Sequence, residues 1–162
     1  SYLLLEGKWG LPTLLMENIG LNSGFMIPQY TTAALVTENK TLCFPASVDS
    51  IPTSLGQEDH VSMGSISARK FNTVLNNLEY ILSIELLLAA QALEFRKPLK
   101  SSPILEMIHA HVRSVVPFAK EDRVLSIDIE KVVQIVREDT LLNQLNSQLG
   151  KFLNVGFSEF DC

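Results

Sequence analysis

A chain of 162 residues with 46% hydrophobic and 19% charged side chains has the make-up of one folded domain with its own core, not of a disordered segment. A net charge of -5 argues against nucleic acid as a partner, because phosphate binding needs clustered Lys and Arg. The two cysteines, Cys43 and Cys162, make no disulfide framework and fit a reducing, cytoplasmic setting, and no apolar run is long enough for a membrane span: Ile81 to Leu93 is interrupted by Ser83, Glu85 and Gln91.

In chain order, Ser1 to Glu6 reads as the end of a helix, and a start without Met suggests a piece of a longer protein. Gly10-Leu11-Pro12 breaks regular structure, so residues 1–24 are expected to be a helix end followed by a loop. A helix is expected over 25–42. Pro28 fits only its first turn, and Met26, Tyr30 and Ala33 or Ala34 recur on one face, which suits core packing or the wall of a pocket. Cys43 is expected to be a small core hydrophobe. Residues 43–60 form a long join in which Pro45, Pro52 and Gly56 block regular structure, while Val48, Ile51 and Leu55 argue for a packed loop.

The longest helix is expected over 61–97, spanning about 45 Å at 1.5 Å per residue. From Ile81 onward it is apolar on nearly every side, so that half should be buried all round. Glu79 and Glu85 are expected to pair with Arg or Lys of a neighbour. Ser102-Pro103 is an N-cap followed by an N1 proline and opens a helix that Pro117 stops. Its His109 and His111 lie two apart, on different sides of the helix, and so lack metal spacing. Glu121-Asp122-Arg123 reads as a solvated turn. Ser126 is expected to cap the next helix, and Leu141, Leu142, Leu145 and Leu149 give a last amphipathic one that Gly150 ends. The C-terminal helices thus occupy 103–149 and a tail 150–162. With no strand alternation, no phosphate-cradling glycine loop and no zinc spacing, 1–162 reads as a single all-α, long-helix bundle that binds no metal.

The candidate site is the loop before the long helix. Glu58, Asp59 and His60 are three adjacent titratable side chains near a helix start, where carboxylates are favoured. Spacing leaves the three equivalent, and simple capping of the helix is the competing reading.

The words around that triplet are more specific. Gly20-Leu21-Asn22-Ser23-Gly24-Phe25-Met26-Ile27, Gln29 to Val36, Pro45 to Ser54, and Gln57-Glu58-Asp59-His60-Val61-Ser62-Met63-Gly64 resemble the histidine ammonia-lyases of the aromatic amino acid ammonia-lyase family. Later pieces, Glu94 to Leu99, Val112-Arg113 and Asp128 to Glu130, continue the resemblance, which covers residues 10–140. It implies a mostly helical lyase fold, assembly as a homotetramer through long central helices, and elimination of ammonia from L-histidine to give trans-urocanate in histidine degradation. The family's electrophile is a methylidene-imidazolone (MIO) formed from an Ala-Ser-Gly tripeptide in the N-terminal part. No Ala-Ser-Gly occurs among these 162 residues. The chain is therefore expected to be the C-terminal fragment of such a lyase, inactive without the N-terminal part.

The resemblance places Glu58 in the active site as the catalytic carboxylate, with Met26 and Tyr30 lining the substrate pocket and Gln57 flanking Glu58. Plant phenylalanine ammonia-lyases carry glutamine at the position of Glu58 and lysine at that of Met26, so both positions lean toward histidine. Phe44 departs from the histidine expected there in many relatives. The alternatives are a tyrosine or phenylalanine ammonia-lyase or aminomutase of the same family, and a non-catalytic helical oligomerisation module.

Overall fold

Pro28 and Pro103 place two helix starts, and the spacing of Ile84, Leu87, Leu88 and Gln91 selects the face on which the molecule assembles. A computed structural model describes residues 2–152. Its helices are α1 (Tyr2–Leu5), α2 (Met26–Leu42), α3 (Gly64–Phe95), α4 (Pro103–Val115), α5 (Leu125–Arg137) and α6 (Asp139–Phe152), with a single 3-10 turn at Ser54–Gly56. Among the described residues there is no strand, only three isolated bridges, so the all-α class holds.

The 32-residue α3 is the axis, about 48 Å long at 1.5 Å per residue. α2 packs along one side of it and α5 along another, with α4 nearby. The core joins Ile84, Leu87 and Leu88 of α3 to Val112 of α4, Val132 and Val133 of α5, and Leu15, Met16 and Phe25 of the first loop. The C-terminal half of α3 is buried on most sides but not all round, since Leu82 and Glu85 are exposed. Its N-terminal half keeps Phe71, Leu75 and Leu78 exposed as well; with Leu82 they repeat at intervals of four, three and four residues and form one apolar stripe.

Several local expectations are corrected. The long helix starts at Gly64 behind Met63 in a left-handed conformation, with no acidic residue in its first turn, so Glu58 and Asp59 do not cap it. α5 begins one residue before Ser126, with Val124 as its N-cap. α6 runs through Gly150 to Phe152; a glycine inside a helix costs only about 1 kcal/mol. Cys43 is exposed, beyond the end of α2, and is no core residue. The tail expected over 150–162 lies outside the described residues from 153 onward, Cys162 included. By contrast Ser102 caps α4 through Leu105 N–H with Pro103 at N1, and Glu79 pairs with Arg137 at 2.6 Å.

Candidate functional site

Residues 50–61 form a loop closed twice. At its base the Ser50 hydroxyl accepts from Val61 N–H at 2.9 Å and lies 3.3 Å from the Val61 carbonyl oxygen. Farther in, Thr53 and Glu58 exchange backbone bonds: Thr53 N–H to the Glu58 carbonyl at 2.9 Å and Glu58 N–H to the Thr53 carbonyl at 3.2 Å. The four residues between them must reverse the chain tightly. Ser54, Leu55 and Gly56 do so with φ of 53°, 59° and 86°. Two non-glycine residues in the left-handed region cost on the order of 1 kcal/mol each, and such conformations cluster where a fold presents functional groups. Val48, Ile51 and Leu55 are exposed, so the loop is held by the Ser50–Val61 and Thr53–Glu58 hydrogen bonds and not by the packing expected of those side chains.

This geometry fixes the backbone of Glu58 while leaving its side chain free. The carboxylate is exposed, and no side chain among the described residues bonds to it. Gln57, Asp59 and His60 are exposed beside it, and their side chains make no hydrogen bond among the described residues. Met26, in the first turn of α2, is half-buried, and Tyr30, one turn later, is exposed. No hydrogen bond or ion pair joins Glu58 to Met26 or Tyr30. The chain therefore carries these side chains on separate elements, all exposed except the half-buried Met26. No group of His, Cys, Asp and Glu among the described residues is arranged to hold a metal ion.

What positions α2 comes from far along the sequence. Its N-cap, Phe25, has no side-chain cap, and Pro28 has no N–H. The preceding turn is instead held by Asp122, whose carboxylate accepts from Ser23 N–H at 2.7 Å and Gly24 N–H at 2.8 Å. In return, Asp122 N–H donates to the Asn22 side-chain oxygen at 3.1 Å. On the other side Phe25 N–H donates to the Leu14 carbonyl at 3.0 Å. Gly24 has φ +58°, and a Cβ there would stand 2.6 Å from the Leu14 carbonyl oxygen, so no larger residue fits this turn.

The Asp122 segment is anchored in turn. Arg123 donates to Asp128 and to the carbonyls of Pro117 and Phe118. Gln91, fully buried in α3, donates to the carbonyls of Leu15 at 3.2 Å and Ala119 at 2.8 Å and accepts from Ala119 N–H at 3.2 Å. One turn on, Glu94 meets Lys97 at 2.6 Å, His109 at 3.1 Å and Arg113 at 3.4 Å. Burial pushes the Glu94 carboxyl up, but the bond from Lys97 and the charges of Lys97, Arg113 and His109 outweigh it, leaving it below the usual carboxylate range. Burial also draws the Arg113 guanidinium below its ordinary value, against the opposing charge of Glu94. The sequence reading missed Gln91 and Asp122; neither stands in a local motif, since their partners are 22 to 100 residues away.

Residues 1–114 match the family described as aromatic amino acid lyase. The histidine ammonia-lyase of Natranaerobius thermophilus is 51% identical over 144 residues, which is 89% of this chain and 28% of that protein. The crystal structure of histidine ammonia-lyase from Trypanosoma cruzi superposes with a TM-score of 0.85 at 47% identity, over 89% of this chain and 28% of that one. A tyrosine aminomutase from Streptomyces globisporus follows with a TM-score of 0.81 at 39% identity, over 86% of this chain and 27% of that one. The chain thus spans little more than a quarter of the length of these relatives. With its fold and more than two thirds of its residues matched, this chain belongs to the aromatic amino acid lyase family.

Proposed function

We propose that the chain is the C-terminal part of a histidine ammonia-lyase, in which it supplies the pocket wall facing the electrophile. The observation that carries this reading is the outward, unpartnered carboxylate of Glu58 on a backbone-pinned loop. Fixing a backbone in left-handed conformations to present a charge without a protein partner makes physical sense if a ligand completes the bond. L-histidine offers two donors of the right kind, an imidazole N–H and an ammonium, and a carboxylate bonds to either more strongly than a neutral amide would. Held against the substrate, Glu58 can also accept a proton during elimination. Met26 and Tyr30 on α2 give the pocket an apolar side, and Gln57 flanks the carboxylate.

In this family methylidene-imidazolone would supply the electrophile; its Ala-Ser-Gly source is not among these 162 residues. The residues present fit the role of facing wall, since Gln57, Glu58, Asp59 and His60 are exposed with no side-chain partner among the described residues. The isolated chain is expected to form no urocanate. The stripe Phe71, Leu75, Leu78 and Leu82 is the surface we assign to subunit contact in a homotetramer, because an exposed apolar row along a helix is stable in water only when covered. No described helix is long and apolar enough to cross a membrane, and we place the enzyme in the cytoplasm.

The likeness to a tyrosine aminomutase at 39% identity favours a second reading, in which the same frame serves tyrosine. Replacing Glu58 by Gln in the complete lyase separates the two. We expect histidine turnover, followed as urocanate absorbance, to fall by at least about 100-fold, within the usual range for a group acting in proton transfer. Unchanged turnover of histidine in Glu58→Gln would remove Glu58 from the chemistry, and a complete protein that converts neither amino acid would favour a purely structural module.

A further inference from the structure

The link between Asp122 and the turn before α2 lies outside the residues assigned to the pocket, yet it governs where one of them stands. Met26 follows Gly24 by two positions. The two backbone N–H groups that Asp122 accepts, at 2.7 and 2.8 Å, belong to Ser23 and Gly24. Bonds from backbone N–H to an ionised carboxylate are about twice as strong as neutral ones, and a pair to successive amides fixes direction as well as distance. The first turn of a helix leaves its amides without intrahelical partners, and here Phe25 offers no side-chain cap. Asp122 does not cap α2 itself; from nearly one hundred residues away it holds the two residues that lead into the N-cap Phe25. Its negative charge before the N-terminus of α2 adds a favourable interaction with the helix dipole.

The return bond from Asp122 N–H to Asn22 makes the link reciprocal. Asp122 has no freedom to follow if the turn drifts, because Arg123 next to it is bonded to Asp128, Pro117 and Phe118. The turn is therefore clamped between Leu14 on one side and the α4–α5 connection on the other. Asp122 also lies beyond residues 1–114, the part that matches the family.

We propose that Asp122 is a positioning residue for the substrate pocket: by holding Ser23 and Gly24 it sets the register of the first turn of α2, and so the place of Met26 in the wall. This rests on the reading above that Met26 lines the pocket. Without the carboxylate the turn loses two of the three bonds that tie it to the α4–α5 connection, and only the one from Asp122 N–H to Asn22 remains. Met26 then occupies a range of positions, and substrate contact weakens more than the reacting groups on the other wall are disturbed.

The test is Asp122→Ala and Asp122→Asn in the complete lyase, with KM and kcat measured for histidine and hydrogen exchange followed over the segment containing Ser23 to Met26. The expected result for Asp122→Ala is a KM raised at least about tenfold with kcat within about threefold, and faster exchange in that segment. Asp122→Asn, which keeps one acceptor oxygen, should fall between. Such a split removes binding shared by ground and transition state. A substitution that merely reduced the folded fraction would lower kcat and leave KM unchanged.

KM within twofold of the parent, or unchanged exchange at Ser23 to Met26, would overturn the proposal. If Asp122→Ala does not fold, the same limits are read on Asp122→Asn. The outcome is separable from that of the substrate reading: if histidine is not turned over but another aromatic amino acid is, the substrate assignment fails and the KM test is made with that amino acid.

Discussion

Replacing Gln91 by Met should destabilise the fold by about 3 kcal/mol. The side chain is 1% exposed and satisfies three backbone groups outside its own helix: the Leu15 carbonyl and both the carbonyl and N–H of Ala119. Leu15 and Ala119 are themselves buried, at 0% and 1% exposure, so water cannot take over. A buried polar group left without a partner costs about 1–3 kcal/mol. Three such groups at the low end give about 3 kcal/mol. The Arg113 contact, at 3.4 Å, is long, and Arg113 keeps Glu94 and the Val116 carbonyl, so its loss adds little. Met is close to Gln in volume, so little of the effect is cavity formation. For a protein of this size, 1 kcal/mol moves Tm by about 2–4 °C, which puts the expected drop near ~9 °C. Thermal unfolding followed by circular dichroism measures it. A drop under about 2 °C would refute the reasoning, because it would mean that the three backbone groups find other partners at no cost.

Three further outcomes follow from the same geometry. Because the Glu94 carboxyl is held below its ordinary value of 4.5, its contribution to stability is present above that value and lost as pH falls through the lowered one. Urea midpoints should therefore separate the parent from Glu94→Gln at about pH 7, and the gap should narrow by about pH 3. A gap independent of pH would contradict the depressed carboxyl. Leu75→Lys combined with Leu82→Lys should convert the complete lyase to smaller assemblies in sedimentation while leaving its helical circular dichroism in place; an unchanged assembly would show that the α3 stripe is not a subunit contact. Gly24→Ala should disturb the same turn as Asp122→Ala, since its Cβ would meet Leu14 and Met16, and should lower Tm by at least about 3 °C, roughly 1 kcal/mol or more.

What could be read from the sequence was what depends on near neighbours. Pro28 and Pro103 restrict the chain within one turn, and the apolar run from Ile81 onward marked the half of α3 that is mostly buried, but not that the covered face would run through Ile84, Leu87, Leu88 and Gln91. The Glu58 loop stood out as a candidate site through its resemblance to a family. Its backbone geometry was not, since Ser54 and Leu55 adopt left-handed conformations that their residue types disfavour and that the Thr53–Glu58 and Ser50–Val61 bonds impose. Asp122 looked like part of a solvated turn because its partners, Asn22 to Gly24, are about one hundred residues away. Gln91 looked like an interruption in an apolar run for the same reason. Cys43 was expected in the core on residue type, but α2 ends just before it and nothing covers it. The helix start moved to Gly64 because the loop bonds extend to Val61, leaving Glu58 well outside the first turn.

The central claim is that this chain forms one wall of a lyase pocket made for histidine. It is tested most directly by comparing kcat/KM of the complete lyase for L-histidine and L-tyrosine, in the parent and in Glu58→Gln. The account predicts that the parent prefers histidine by at least about 100-fold and that Glu58→Gln removes most of that preference. A parent that prefers tyrosine, or a preference for histidine that survives Glu58→Gln intact, would contradict it.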